Sequence, residues 1–148
     1  MGRVRLELPE RFPFVTEIPI RIGDINYGGH LGHDAVLPIM HEARLRYLIS
    51  LGYDEGNIEG LTYLMTDAVI LYRAQAFYGQ TLRVYVAAGD FTRKGCDFYY
   101  LLADRDSGSE IVRAKTGFVF YDAREGRTAP VPEAFRRRCE DRGTGGAP

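Results

Sequence analysis

The sequence predicts an α+β domain in which one long, largely enclosed helix is wrapped by a five-stranded antiparallel sheet. Three observations predict it. Only one long stretch, in the first third of the chain, has helical periodicity. Its apolar stripe is too wide for a surface helix. Everything from Leu61 onward reads mainly as strands joined by short turns.

In order along the chain, the opening through Arg11 and Pro13 reads as irregular, and Val15 to Ile22 as a first strand with partial apolar–polar alternation. The next residues, Gly23-Asp24-Ile25-Asn26-Tyr27-Gly28-Gly29-His30-Leu31-Gly32, hold four glycines. They imply tight turns or a close approach of something to the backbone. A helix is expected from about Asp34 to Leu51. Val36, Met40, Ala43 and Tyr47 form its stripe, and Leu37, Ile39, Leu48 and Leu51 widen it. Asp34 is the expected N-cap and Gly52 the expected C′ residue. Pro38 fits only if it lies in the first turn.

Strands follow at Leu61 to Arg73, Leu82 to Phe91, Cys96 to Asp104 and Glu110 to Tyr121. Turn signals separate them at Tyr78-Gly79-Gln80, Arg93-Lys94-Gly95 and Asp106-Ser107-Gly108. The connections are short, so neighbouring strands should be antiparallel. A short helix is expected from Pro132 to Glu140. Such a sheet covers the helix on one side only, so a homodimer or homotetramer is expected.

The 148 residues suit one domain, expected over 1–141, with a frayed Gly-rich tail at 142–148. A net charge of −1 argues against a broad attraction to nucleic acid or to an anionic membrane. No apolar run is long enough to span a bilayer, and the first residues have no signal-peptide core. A cytoplasmic location is therefore expected. Cys96 and Cys139 read as two reduced thiols.

The chemical signal is local. All three histidines, His30, His33 and His41, fall between positions 30 and 41, together with Asp34 and Glu42 and close to Asp24 and Asn26. A helix start offers free backbone N–H groups and the positive end of the helix dipole. Aimed at a carbonyl oxygen, these stabilise a developing oxyanion. Hydrolysis then needs a water or carboxylate beside that carbonyl, and Asp34, Glu42 and the histidines are candidates. Each also has a structural role open to it. Asp34 can cap the helix, Glu42 can pair with Arg46 or hold the loop, and His41 can be an ordinary helix histidine. His41-Glu42 begins an H-E-x-x-H motif, but position 45 is Leu, so no metal site and no cofactor are expected.

At these residues the sequence resembles the 4-hydroxybenzoyl-CoA thioesterase-like branch of the hotdog superfamily. That branch has a loop of the form R-x-x-D-x-D-x-x-G-H-V-N-N and a helix containing E-A-R. Here stand Arg21, Asp24, Asn26, Gly29, His30 and His33, then Glu42, Ala43 and Arg44. Tyr72-Arg73 before Tyr78-Gly79-Gln80-Thr81-Leu82, and Ala114-Lys115 leading to Phe120-Tyr121-Asp122, extend the likeness over roughly 16–135. The resemblance implies the hotdog fold and metal-free hydrolysis of an acyl-CoA or acyl-carrier thioester at a site between subunits. The carbonyl would face the N–H of His33 or Asp34.

One position departs from the pattern. The second acid of D-x-D is Asn26, and an amide cannot act as a general base. Asn26, His30, Asp34 and Glu42 are the catalytic candidates: Asn26 and His30 orient water or substrate, and Asp34 or Glu42 activates the water. Asp67, an acid within the first strand after the helix, is a further candidate for the missing carboxylate. His33, Arg93, Lys94 and Lys115 are the substrate-binding candidates, the last three together with Arg73 for CoA phosphates. Tyr27, Tyr63, Met65 and Tyr72 are candidates for an acyl pocket or for core. Beside hydrolysis stand an acyl-thioester-binding protein without catalysis, a hydratase or dehydratase, and an interaction module.

Overall fold

The computed structural model describes residues 2–141; the expected tail at 142–148 lies outside them. Five long strands and one central helix form the fold, as expected. The first strand, β1 (Phe14–Pro19), leads through the Gly-rich loop to α1 (Val36–Ser50). Then come β2 (Thr62–Tyr72), β3 (Thr81–Gly89), β4 (Gly95–Asp104) and β5 (Glu110–Asp122). A two-residue strand β6 (Arg127–Thr128) and a short helix α2 (Glu133–Asp141) end the chain. The sheet runs β1-β3-β4-β5-β2 with every pair antiparallel, and β6 adds to β5.

One sheet face is apolar and carries the core. Val84, Val86, Phe98, Tyr100, Leu102, Val112, Ala114, Phe118 and Phe120 are buried there, against Val36, Ile39, Met40, Ala43, Tyr47 and Leu48 of α1. Phe135 of α2 closes the end of this core against Phe91, Phe120 and Tyr53. At roughly 1.5–3 kcal/mol per fully buried large apolar side chain, this face holds most of the fold's stability.

The helix boundaries differ slightly from expectation. A 3₁₀ turn at His33–Ala35 precedes α1, and Ala35, not Asp34, is the N-cap; no side chain caps it. Asp34 therefore does not serve the expected cap bond. Pro38 lies in the first turn, where it costs no helical hydrogen bond. At the other end, Gly52 adopts the left-handed conformation (φ 89°). Its N–H reaches the Ile49 carbonyl and Tyr53 N–H the Leu48 carbonyl, the pair of bonds of a Schellman ending.

Apolar side chains remain exposed on both the helix and the edge strand. Leu37 and Ile49 on the outer side of α1 are 40% and 59% exposed, and Leu64 and Met65 on the edge strand β2 are 47% and 44% exposed. The residues before β1, read as irregular, form no strand but are not idle. Phe12 is buried against Tyr85 on the sheet's other face, and the Leu6 carbonyl accepts from Arg113 (3.0 Å). Among the described residues, no helix is long and apolar enough to cross a membrane.

A bulge in β2 decides which side chains face the helix. Met65 pairs with Phe118 and Asp67 with Gly117, so Thr66 is the extra residue. Before it, Tyr63 and Met65 oppose the inner residues Phe120 and Phe118. After it, Ala68, Ile70 and Tyr72 oppose the inner residues Thr116, Ala114 and Val112. The extra residue switches the parity of the strand. Asp67, which unbroken alternation would place with Tyr63, faces away from the helix; Tyr72 faces toward it.

Candidate active site

The segment from Asp24 to Asp34 is a pinned loop. Ile25 and Leu31 form an antiparallel bridge. Asn26 N–H donates to the His30 carbonyl (2.9 Å), Gly32 N–H to the Asp24 carbonyl (2.9 Å) and Leu31 N–H to the Ala76 carbonyl (2.7 Å). The last of these ties the loop to the connection between β2 and β3. Asp24 is buried and accepts from the Arg21 backbone N–H (2.8 Å) and guanidinium (3.4 Å), so its carboxylate braces the loop.

Three of the expected residues converge here. The Asn26 side-chain oxygen accepts from Gly28 N–H (3.0 Å) and His30 N–H (3.4 Å), which leaves its NH₂ without a protein partner among the described residues. His30 Nδ1 lies 3.3 Å from the Leu31 carbonyl. A carbonyl only accepts, so Nδ1 is the donor in this contact, and Nε2 is left for another partner. A Cβ placed on Gly28 would lie 3.2 Å from that Nε2 and 3.3 Å from Asn26 Oδ1. A Cβ on Gly32 would lie 2.5 Å from Asp34 Oδ1 and 3.4 Å from Asn26 Cβ. Glycine at 32 thus lets the Asp34 carboxylate come this close to the backbone. Asn26 meets His30 over Gly28 and Asp34 over Gly32.

The 3₁₀ turn at His33–Ala35 offers donors. Ala35 N–H is used by the Gly32 carbonyl (3.1 Å), whereas the N–H groups of His33 and Asp34 have no partner among the described residues. The His33 side chain is exposed, its ring edge-on to Tyr72 at 4.9 Å, and the Tyr72 hydroxyl donates to the His33 carbonyl (3.2 Å).

The remaining candidates lie elsewhere. Glu42 is paired with Arg46 (3.0 Å), which also donates to Thr16 and the Glu17 carbonyl. It lines a groove of about 270 Å³ with Arg21, Asp24, Pro38 and Ile39, whose lining does not include Asn26, His30 or Asp34. His41 is bonded to Glu55 (2.7 Å). Arg93 and Lys94 sit in the β3–β4 turn beside Phe120, with Lys94 on Thr128 (3.0 Å). Seven residues of β5 separate the row of Val112 from that of Val119. At about 3.3 Å per residue, the turn is roughly 23 Å along the sheet from the loop of its own chain. Arg73 pairs with Glu110 (3.4 Å).

Lys115 is held between Asp67 (2.7 Å) and Asp97 (3.4 Å) on the sheet face away from the helix. Its hydrogen bond holds the Asp67 carboxyl below the usual carboxylate range, while burial pushes Asp97 up. Asp67 is therefore neither near the loop of its own chain nor tuned as a base. No group of three or more metal-ligating side chains is found among the described residues.

A second polar cluster escaped the sequence reading. Arg44 of α1 is buried and donates to the hydroxyls of Tyr63 (2.9 Å) and Tyr100 (3.0 Å). Tyr100 in turn bonds Thr116 (2.7 Å), and the guanidinium lies 4.7 Å from the Phe118 ring centre. Burial pushes both phenols up, so they stay neutral. The helical stripe marks Arg44 only as a polar position; nothing in the spacing shows that two tyrosines and a threonine wait for it across the sheet.

Comparison with known proteins adds three findings. The model of the thioesterase-like superfamily matches residues 20–139. No curated protein matches the sequence. Among solved structures, the chain is similar to a 1,4-dihydroxy-2-naphthoyl-CoA thioesterase from Synechocystis (TM-score 0.79, 23% identity, 86% of this chain and 96% of that one). It is also similar to a thioesterase complexed with coenzyme A and zinc from Thermus thermophilus (0.79, 24%, 91% and 97%). A 12:0-ACP thioesterase from Umbellularia californica gives 0.74 and 18%, over 90% of this chain and 55% of that one. At these identities the likeness is one of fold.

Proposed function

Since the chain belongs to the thioesterase-like superfamily, we propose that it hydrolyses an acyl-CoA or acyl-carrier thioester, with water as nucleophile, at the loop of residues 24–34. The observation that carries this reading is that Asn26 lies against both His30 and Asp34 in a loop that also holds two unspent backbone N–H groups.

In the proposed reaction the thioester oxygen lies on the N–H groups of His33 and Asp34, which stabilise the charge that develops there. The free NH₂ of Asn26 and Nε2 of His30 orient the water. Asp34 takes the water's proton as the oxygen attacks the carbonyl carbon. The C–S bond then breaks, and the thiolate needs little help to leave, because a thiol ionises near pH 8.5. Asp34 is preferred to Glu42 because it lies against Gly32 beside Asn26, while Glu42 is engaged by Arg46 in a separate groove.

The expected partner is a second copy of the chain. The edge strand β2 has 11 residues, exposed Leu64 and Met65, and unpaired backbone groups along one side. Antiparallel pairing of two such edges would bring the Arg93–Lys94 turn of the partner subunit toward the loop, within reach of CoA phosphates. That geometry gives Arg93 and Lys94 a role that one chain alone does not. Met65→Arg should yield a monomer by sedimentation with little activity; an active monomer would exclude a shared site.

The decisive experiment is thiol release from short, medium, long and aromatic acyl-CoAs, followed with a thiol-trapping dye. The chain's own thiols should stay silent in the folded protein. Cys96 and Cys139 are buried, and burial pushes the Cys139 thiol up to about 12. Release from one substrate class supports hydrolysis. Saturable binding with no release from any CoA or carrier-protein ester would instead support the non-catalytic binding reading that Asn26 allows.

A further inference from the structure

Tyr72 touches the site without entering it. Its ring stands edge-on to His33 (4.9 Å) and its hydroxyl donates to the His33 carbonyl (3.2 Å). That carbonyl belongs to the same peptide unit as Asp34 N–H, one of the two donors unspent in the loop. In a trans peptide the C=O and N–H point in opposite directions. Fixing the carbonyl on one side therefore fixes the donor on the other. A hydrogen bond accepted by the carbonyl also polarises the amide and strengthens its N–H as a donor.

We infer that Tyr72 is a positioning residue for catalysis: by bonding the His33 carbonyl it aims and strengthens the Asp34 N–H at the developing oxyanion. The inference rests on the proposed hydrolysis and adds a residue to it. The β2 bulge is what makes the contact possible. Without the extra residue at Thr66, the parity of the strand would turn Tyr72 to the opposite face of the sheet from α1. The loop's other tether, Leu31 N–H to the Ala76 carbonyl (2.7 Å), reaches the connection four residues further on, so the end of β2 and the segment after it hold the loop at two points. Only the Tyr72 tether acts on the peptide that carries the oxyanion donor.

The test is Tyr72→Phe, which keeps the ring and its His33 contact and removes only the hydroxyl. Tyr121→Phe, at the other end of the sheet, serves as control. On the substrate the wild type prefers, Tyr72→Phe should lower kcat about tenfold, less than deletion of an oxyanion donor itself, and leave KM within about twofold. Affinity for a trifluoromethyl-ketone analogue of that substrate, whose hydrate mimics the tetrahedral state, should fall by a similar factor. Affinity for the matching thioether should hold. In ¹⁵N-labelled protein the Asp34 amide proton should move upfield in Tyr72→Phe and stay in place in Tyr121→Phe. Unchanged kcat, with the Asp34 amide unmoved, in an active enzyme would overturn the inference and leave the hydrolase reading intact. A wild type that hydrolyses no thioester would overturn both. A rise in KM alone would make Tyr72 a substrate contact and also overturn the inference.

Discussion

Two polar regions of the molecule treat their hydrogen-bonding groups in opposite ways. The knot around Arg44 is spent: its guanidinium, both tyrosine hydroxyls and Thr116 bond one another in the core. The loop of residues 24–34 is also well braced, by Asp24, the Ile25–Leu31 bridge and the Ala76 tether. Yet it leaves the Asn26 NH₂, His30 Nε2, the Asp34 carboxylate and two N–H groups without partners among the described residues. A buried polar group must be satisfied from within, because leaving it unpaired costs about 1–3 kcal/mol. Groups at a site face the opposite demand, since a ligand can bond only what the protein has left free. The knot should therefore govern stability, and the loop should govern rate.

The largest effect expected from this contrast is on Arg44→Ala. It leaves two buried phenols without their donor and opens a cavity, and should lower stability by about 3 kcal/mol in urea unfolding. The folded fraction should still hydrolyse substrate. A loss under about 1 kcal/mol would mean that burying the charge costs nearly as much as its bonds return, and the knot would not be the stabilising region.

Asn26→Ala should do the reverse. Two loop N–H groups lose an acceptor at a half-exposed site, so unfolding should shift by no more than about 1 kcal/mol. Hydrolysis should fall roughly 100-fold, or about 2.7 kcal/mol in the barrier. Equal loss of stability and rate would erase the distinction between the two regions. Gly32→Ala is a finer probe. The new Cβ would meet the end of the Asp34 side chain, not backbone, so the carboxylate can swing aside and the fold should hold to within about 1 kcal/mol. A base displaced by an ångström should cost about tenfold or more in kcat. Full activity in Gly32→Ala would remove Asp34 as the base and return attention to Glu42.

The sequence carried the fold because its signals there are periodic and repeated. The stripe from Val36 to Tyr47, the turn residues between strands and the Gly52 ending each followed from local chemistry, and all are present. Within the loop, Asn26, His30 and Asp34 were legible as a group because sequence neighbours in a tight turn are also neighbours in space. Glu42 was legible only as a partner for Arg46, four residues on; Lys94 and Lys115 were not, since their partners lie 18 or more residues away. Arg44 looked like one more helix residue, because Tyr63, Tyr100 and Thr116 come from three different strands. The N-cap was misplaced by one residue: a 3₁₀ turn was inserted ahead of α1, and Asp34 was drawn into it.

The bulge at Thr66 is the clearest limit of pattern reading, and it supplies the smallest prediction. Plain alternation puts Asp67 beside Tyr63, on the helix side, where an acid would invite a catalytic role. One extra residue puts it on the far side, bonded to Lys115. Its lowered carboxyl pKa means the pair stabilises the fold above the unfolded carboxylate range, and that contribution is lost as pH falls through the lowered value. The Asp67 side chain is 54% exposed, so solvent screens the pair and the gain is about 0.5 kcal/mol or less. Asp67→Asn should therefore lose that small amount at neutral pH, converge with the wild type in acid, and hydrolyse substrate at the wild-type rate. Loss of hydrolysis in a folded, dimeric Asp67→Asn protein would put a carboxylate from the spent side of the sheet into the chemistry, and the line drawn between the two kinds of polar group would have to move.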